Sequence, residues 1–484
     1  MRGPAAKAAL VAGLLGGCAA VGPDYERPVL TAPAQWGEAQ SKAETATALE
    51  KVAWWKTFDD PLLDDLMEQA AMSNLDLAKA RARIVQARAG VVVAGAAGVP
   101  SLNVSGSATR TQGSRNAALP SQLAPTGSPR NIYLAGFDAR WEIDVFGGVR
   151  RSVEGATARL EASVEDLRAT LVTLLGDVAR NYVELRANQD QIQITQRNVQ
   201  AQQQTVEVTR ERYRLGLTSY LDVVQAEAQK TATESNVPTL EAAIKQSIHR
   251  LGVLLGREPK ALQAELSAPR PLPRPDRATA IGLPSELLLR RPDLRWAERQ
   301  LAAASADIGV ATAALYPRFD LTLGLGLQSN SAARFAEASS RYWSIIPGVS
   351  LPLFDAGSTR ATITAKDAAY DEALAEYRSA FNNALQDVEN ALAGYYAEQV
   401  RRGILVDTVR ANEMAVTLAN ERYRRGLTSF LDVLTAENSL YSAQRGLSQS
   451  EANRLTSLVS LYKALGGGWS AADIGGSATD PAQR

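Results

Sequence analysis

Glu211-Arg-Tyr-Arg-Leu-Gly-Leu-Thr-Ser-Tyr-Leu-Asp222-Val-Val-Gln-Ala-Glu227 returns, at an offset of 421 − 211 = 210 residues, as Glu421-Arg-Tyr-Arg-Arg-Gly-Leu-Thr-Ser-Phe-Leu-Asp432-Val-Leu-Thr-Ala-Glu437. A copy this close divides the chain into two halves built on one plan. Each copy is a Gly-Leu-Thr-Ser turn between two long segments. No proline falls between Val149 and Val237, or between Phe354 and Thr479, and Ala, Leu, Glu, Arg and Gln are abundant in both. At about 1.5 Å per residue, a helix over 149–214 runs roughly 100 Å, far beyond an ordinary globular helix. Pro238 kinks or ends the first returning helix.

The chemistry of each turn is legible. Gly216 and Gly426 suit the left-handed position that closes a helix. Ser219 and Ser429 suit the N-cap of the returning helix, and Asp222 and Asp432 follow three residues later, close to a capping box. A carboxylate in a first turn also complements the helix dipole by roughly 0.3–1 kcal/mol. Capping alone therefore accounts for both aspartates, and a role in binding or gating stands beside it.

Ahead of each long helical segment the period changes from helix to strand. Tyr133, Ala135, Phe137, Ala139, Trp141, Ile143 and Val145 alternate with Gly136, Asp138, Arg140, Glu142 and Asp144. Leu102 to Thr111 is a weaker partner, and a loop over 112–130 connects them. In the second half Phe319 to Leu327 and Trp343 to Leu353 alternate likewise. Strands of about ten residues or more, apolar and aromatic on one side and charged or small on the other, fit a membrane barrel. Trp141, Trp343 and Tyr133 suit its aromatic girdle. Alternation alone fits a soluble sheet with one buried face equally well. Four strands cannot close a barrel, which needs about eight. Lipid forbids open edges. Three chains give twelve strands and, with four long helices each, a helical tube; a coiled-coil stalk without a bore is the plainer alternative.

Composition narrows the function. The 484 residues carry 52 Lys+Arg against 52 Asp+Glu, so no basic field points to nucleic acid. His249 and Cys18 are the only residues of their kinds, which leaves no material for a Cys/His metal site or an internal disulfide. No cofactor and no catalytic constellation is expected; Asp59-Asp60 and Asp64-Asp65 are carboxylate pairs without companions. The N-terminus reads as export: Arg2 and Lys7, then an apolar run from Ala8 to Leu15 too short to span a bilayer. Leu15-Gly16-Gly17-Cys18 resembles a bacterial lipobox, which implies a signal peptide over 1–17 and acylation of Cys18. Ala19, rather than Asp, then implies sorting to the outer membrane.

These residues join other motifs in a fixed order. Val-Gly-Pro-Asp-Tyr-Glu-Arg-Pro28 follows the lipobox. Next come Trp54-Trp55 with Phe58-Asp-Asp-Pro61, Arg291-Pro-Asp-Leu-Arg295 with Ala297-Glu298, Phe354-Asp-Ala-Gly357, and Ala464-Leu-Gly-Gly-Gly-Trp469. The series resembles the outer-membrane efflux lipoproteins of the TolC superfamily, and its NodT/OprM-like branch in particular. The resemblance covers nearly the whole chain. It implies an α+β membrane protein: a trimeric channel-tunnel with a 12-stranded β-barrel, a long α-helical coiled-coil barrel and a mixed equatorial domain. The domains follow: a lipidated extended arm over 18–58, a first repeat over 59–255 with its tip at 214–220, and a linker over 256–284. A second repeat over 285–470, with its tip at 424–430, and a tail over 471–484 complete them. The implied partners are two further copies, a periplasmic membrane-fusion adaptor and an inner-membrane transporter of the resistance-nodulation-division type.

The resemblance also implies a gate at the periplasmic tips. By position Asp222 matches a first-repeat aspartate tied by a tyrosine and an arginine, and Tyr423 matches that tyrosine. Asp432 matches an acid of the constriction, and Leu431 an apolar ring beside it. Two positions depart: Thr428 stands where some relatives have the arginine, and Thr435 where they have a second acid. Either Arg422, Arg424 or Arg425 takes the arginine's part, or the lock is weaker. The leading reading is thus a passive duct for small molecules or metal ions; a duct for type I protein secretion and a periplasmic stalk are the alternatives.

Overall fold

The computed structural model describes residues 20–38, 53–112, 129–275 and 290–469. Cys18, the segment before it and the tail over 471–484 lie outside the described residues. The elements run α1 (Pro61–Ser73), α2 (Leu75–Ala96), β1 (Ser101–Thr111), β2 (Arg130–Ile143), α3 (Gly148–Arg214), α4 (Tyr220–Glu234), α5 (Asn236–Leu254), α6 (Gln263–Leu266), α7 (Pro292–Ala313), β3 (Arg318–Ser329), β4 (Arg341–Ser350), α8 (Ser358–Arg424) and α9 (Phe430–Ala464). The duplication is visible in the boundaries: α3 and α8 are both 67 residues long and begin 358 − 148 = 210 residues apart. The chain divides into two compact units.

One unit takes residues 20–29, 83–163 and 296–377. Its sheet is antiparallel in the order β1-β2-β3-β4. Paired residues share a face, so register decides what each face presents. Val104 lies opposite Phe137, Phe137 opposite Leu325, and Leu325 opposite Trp343. Leu102, Ala139, Leu323 and Ile345 form the next row of the same face. The other face carries Asn103, Asp138, Gly324 and Ser344. Among the described residues the apolar face is uncovered: Trp343 is 74% exposed, and Val104, Phe137, Leu325 and Ile345 are exposed too. A contiguous apolar face of this kind calls for an apolar medium or partner. Trp141 is fixed by donating its indole N–H to the Gly98 carbonyl at 3.0 Å.

The strand ends start the long helices. The Asp144 carboxylate accepts from the N–H groups of Val149 (3.1 Å) and Arg150 (2.9 Å) at the head of α3. Asp355 does the same for Gly357 (3.0 Å) and Thr359 (2.8 Å) at the head of α8. Both pairs occupy the otherwise orphaned N–H groups of a helix start. The extended arm is pinned here. Asp24 meets the buried Arg151 at 2.6 Å, and the Tyr25 hydroxyl donates to Glu298 at 2.6 Å. Burial and that carboxylate push the Tyr25 phenol far above its usual range.

The other unit takes 30–82, 164–295 and 378–469. Its motif residues serve as clasps. Trp54 is buried and stacks on Tyr462, ring centroids 5.1 Å apart. Asp60 caps α1 through the Leu62 N–H (3.0 Å) and also accepts from the Tyr182 hydroxyl. Arg291 bridges Asp293 (2.6 Å), Asp387 (3.0 Å) and the Ala464 carbonyl (3.1 Å), so the Arg-Pro-Asp motif holds the end of α9. The fully buried Arg186 and Gln189 of α3 tie down the segment around Leu266 and Ala268. The helix returning from the first turn breaks at Ser235 into α4 and α5, because Pro238 has no N–H to offer the Glu234 carbonyl. Its second-half counterpart is Ser448, and α9 runs unbroken for 35 residues.

Candidate functional site: the paired helix turns

The two repeated turns lie in the second unit, and the same residues build each. Gly216 has φ 71° and Gly426 φ 73°. Leu217 N–H reaches the Arg212 carbonyl at 2.8 Å while Gly216 N–H reaches that of Tyr213 at 2.9 Å; Leu427 to Arg422 and Gly426 to Tyr423 repeat this at 2.9 Å each. This is a Schellman closure, and it requires the left-handed residue that glycine supplies without steric cost. Ser219 and Ser429 are then the N-caps of α4 and α9.

The aspartates differ in detail. Asp432 accepts from the Thr428 hydroxyl, the Ser429 N–H (3.2 Å) and the Ser429 hydroxyl (3.1 Å). These bonds, that of Thr428 foremost, hold its carboxyl below the usual carboxylate range. Asp222 accepts from the hydroxyls of Thr218 and Ser219 (3.2 Å). Tyr423 reaches Asp222 only through Thr218, whose Oγ1 is 3.5 Å from the tyrosine hydroxyl. The direct Asp222–Tyr423 tie implied by the resemblance is thus replaced by a relay, and a weak one at that distance.

The arginine of the arrangement comes from the first repeat. The Arg212 guanidinium lies 4.7 Å from the centre of the Tyr423 ring and donates to the Arg424 carbonyl at 3.0 Å and the Leu217 carbonyl at 3.4 Å. Arg424 therefore contributes its backbone, while its guanidinium is exposed and has no partner among the described residues. Arg425, just past the end of α8, is occupied by Glu421 of that helix. Neither stands in for the missing arginine. Arg212 lies in the first turn, outside the second-turn set Arg422, Arg424 and Arg425. The signal was present, since Glu-Arg-Tyr occurs in both copies, as 211–213 and 421–423.

Matching positions of the two turns have opposite environments. Tyr423 and Phe430 are 3% and 2% exposed, packed on Val206, Ala226 and Val433. Their counterparts Tyr213 and Tyr220 are 47% and 60% exposed. Leu431, expected in an apolar ring, is 61% exposed. Above the turns, Glu437 is buried and accepts from Thr205 Oγ1 at 2.7 Å. Burial pushes its carboxyl above the usual range, against the hydrogen bonds of Thr205 and Asn420. The equivalent Glu227 instead meets Arg210, at the position where the second copy has Asn420.

An amphipathic four-stranded sheet joined to paired, 67-residue helices with capped turns is the chain fold of outer-membrane channels. The chain belongs to the family whose description is "Outer membrane efflux protein", matched over residues 66–257 and 283–467. It is 34% identical over 473 residues to the solvent efflux pump outer membrane protein SrpC of Pseudomonas putida, covering 94% of this chain and 97% of that one. It is 36% identical over 442 residues to the pyoverdine export outer membrane protein OpmQ of P. putida, covering 91% and 92%. Among solved structures, the outer-membrane channel OprN superposes with TM-score 0.87 at 37% identity, covering 93% of this chain and 99% of that one. The open state of the Neisseria gonorrhoeae outer membrane channel MtrE gives 0.79 at 28%, covering 93% and 98%. The protein is an outer-membrane efflux channel of the TolC superfamily.

Proposed function

We propose that three copies of the chain close a twelve-stranded barrel in the outer membrane and a helical tunnel below it, forming the passive exit duct of a tripartite pump. The observation that carries this reading is the sheet. Among the described residues its apolar face is uncovered and its edge strands β1 and β4 each have one unpaired side. A bilayer tolerates the face but not the edges. Joining β4 of one copy to β1 of the next removes every edge, and twelve strands leave a bore that four or eight do not. The duct performs no chemistry; an inner-membrane transporter of the resistance-nodulation-division type, through a periplasmic adaptor, supplies substrate and drives opening. Names of relatives such as solvent, toluene and antibiotic efflux support small organic molecules as cargo.

The lipobox supports acylation of Cys18 as a second attachment. The turns form the gate. Three exposed Asp432 carboxylates around one axis favour cations. Planar-bilayer recording of the purified protein tests this: a conducting, divalent-sensitive pore is expected, with block weakened in Asp432→Ala. A protein that assembles but never conducts refutes the duct, and equal block in variant and parent refutes the carboxylate ring.

A further inference from the structure

Each half of the chain presents the same knob and the same hole near its turn, and the chain uses one of each. The knob is an aromatic pair. Tyr423 and Phe430 sit 5.6 Å apart at 59°, and Tyr213 and Tyr220 sit 5.4 Å apart at 51°. The second-half knob is buried in the first-half hole, made of Val206, Val208 and Ala226 with Arg212 over the tyrosine. The first-half knob has the same preformed shape and stands exposed. Shifting the hole by 210 residues gives Val416, Leu418, Ala436 and Arg422. These are chemically the same or close, and all are half-exposed or exposed.

We propose that Tyr213–Tyr220 of one copy docks on the Val416–Leu418–Ala436 face of the next, with the neighbour's Arg422 over the Tyr213 ring. The inference rests on the multi-copy reading above and assigns the residues of its contact at the gate. The occupant is a second copy of this chain, because the surface that fits the knob is already seen, filled, in its other half. Knob and hole differ, so the contact is head-to-tail and closes into a ring rather than a two-fold pair.

The repeat also shows how this seam differs from the internal one. Within the chain, Thr205 bonds Glu437 at 2.7 Å, and Thr195 and Tyr441 hydroxyls lie 3.1 Å apart. At the equivalent positions between copies stand Ala415 with Glu227, and Leu405 with Thr231. Neither pair can repeat the bond, and Glu227 is held by Arg210 of its own copy. The seam between copies therefore keeps the apolar contact and the arginine–aromatic contact but loses these polar ties. It is the seam along which the ring parts first.

The test is cross-linking with a short bis-maleimide. Cys18 is the chain's one native cysteine, so introduced pairs report cleanly. Tyr213→Cys with Arg422→Cys is expected to give covalent multimers on denaturing gels. Arg212→Cys with Tyr423→Cys, whose contact is internal, is expected to stay at monomer mobility with the linker's added mass. A photo-reactive phenylalanine at 213 in the otherwise unaltered chain covers the case in which the paired variant misfolds; its adducts are expected within 416–436 of another copy. If the protein is multimeric on native gels yet both probes leave 213 unlinked to a neighbour, the docking is wrong and the multi-copy reading stands. A protein that is monomeric on native gels overturns both.

Discussion

Removing the Arg212 side chain gives the sharpest test of how the two turns are held together. Its guanidinium makes two contacts that cross from the first repeat to the second: the face of Tyr423 at 4.7 Å and the Arg424 carbonyl at 3.0 Å. A half-buried cation over a buried ring contributes roughly 1–2 kcal/mol. A hydrogen bond to a solvent-accessible carbonyl adds about 0.5–1.5 kcal/mol. Against this, alanine releases the ordering cost of a long side chain, up to about 2 kcal/mol when fully fixed. Arg212 is half-buried, so about half of that cost applies and a net loss of roughly 0.5–2.5 kcal/mol per pair of turns remains. That corresponds to an open-to-closed ratio raised roughly 2- to 70-fold. Hydrogen–deuterium exchange of a peptide spanning 421–430 in Arg212→Ala reads it directly, and single-channel open probability should rise in parallel. Arg212→Lys should fall between, because an ammonium lacks the planar face that stacks on the ring. Exchange within about twofold of the parent would show that Arg212 is a bystander and that Tyr423, Phe430 and their apolar bed hold the turns alone.

Other outcomes follow from the same geometry. Glu437 has a raised pKa, so the closed packing it belongs to is favoured when it is protonated, and that stability is lost as pH rises through its folded value. Open probability should therefore fall on acidification from neutral pH, whereas Glu437→Gln should start lower and lose this component; a parent-like pH response in Glu437→Gln counts against it. Thr218→Val breaks the relay between Tyr423 and Asp222 and should loosen the tip by up to about 1 kcal/mol, while Tyr423→Phe, which loses only a 3.5 Å contact, should act less in the same recordings. Gly216→Ala meets no neighbouring atom, so its cost is that of the left-handed backbone alone, roughly 1–2 kcal/mol, and should appear as faster exchange over 211–220. Leu325→Arg puts a charge on the apolar face of the sheet at a cost of roughly 2–4 kcal/mol and should lower the amount assembled in purified outer membranes.

Much of this architecture could be read from residues alone because its causes are local. The 210-residue repeat, the absence of proline, the glycine of each turn and the period-two alternation act within a few residues of themselves, so they set helices, turns and strands. The end of α4 at Ser235, ahead of Pro238, belongs with them. Register adds what alternation cannot: it aligns Val104, Phe137, Leu325 and Trp343 across four strands, and no described residue of the chain covers that face.

What the sequence could not decide is which copy of a nearly identical phrase is buried. Glu-Arg-Tyr occurs in both turns, with the same glycine and the same Thr-Ser cap, and the few local differences, such as Leu215 against Arg425 and Tyr220 against Phe430, do not say which tyrosine is covered. The tertiary structure distinguishes them because a hairpin has two sides and packing pairs unlike sides. The second repeat lays its knob on the first, covering Tyr423 and Phe430, recruiting Arg212 rather than Arg424, and leaving Tyr213 and Tyr220 uncovered. Repetition in sequence made two nearly equal turns; side-by-side packing along the chain gave them different neighbours.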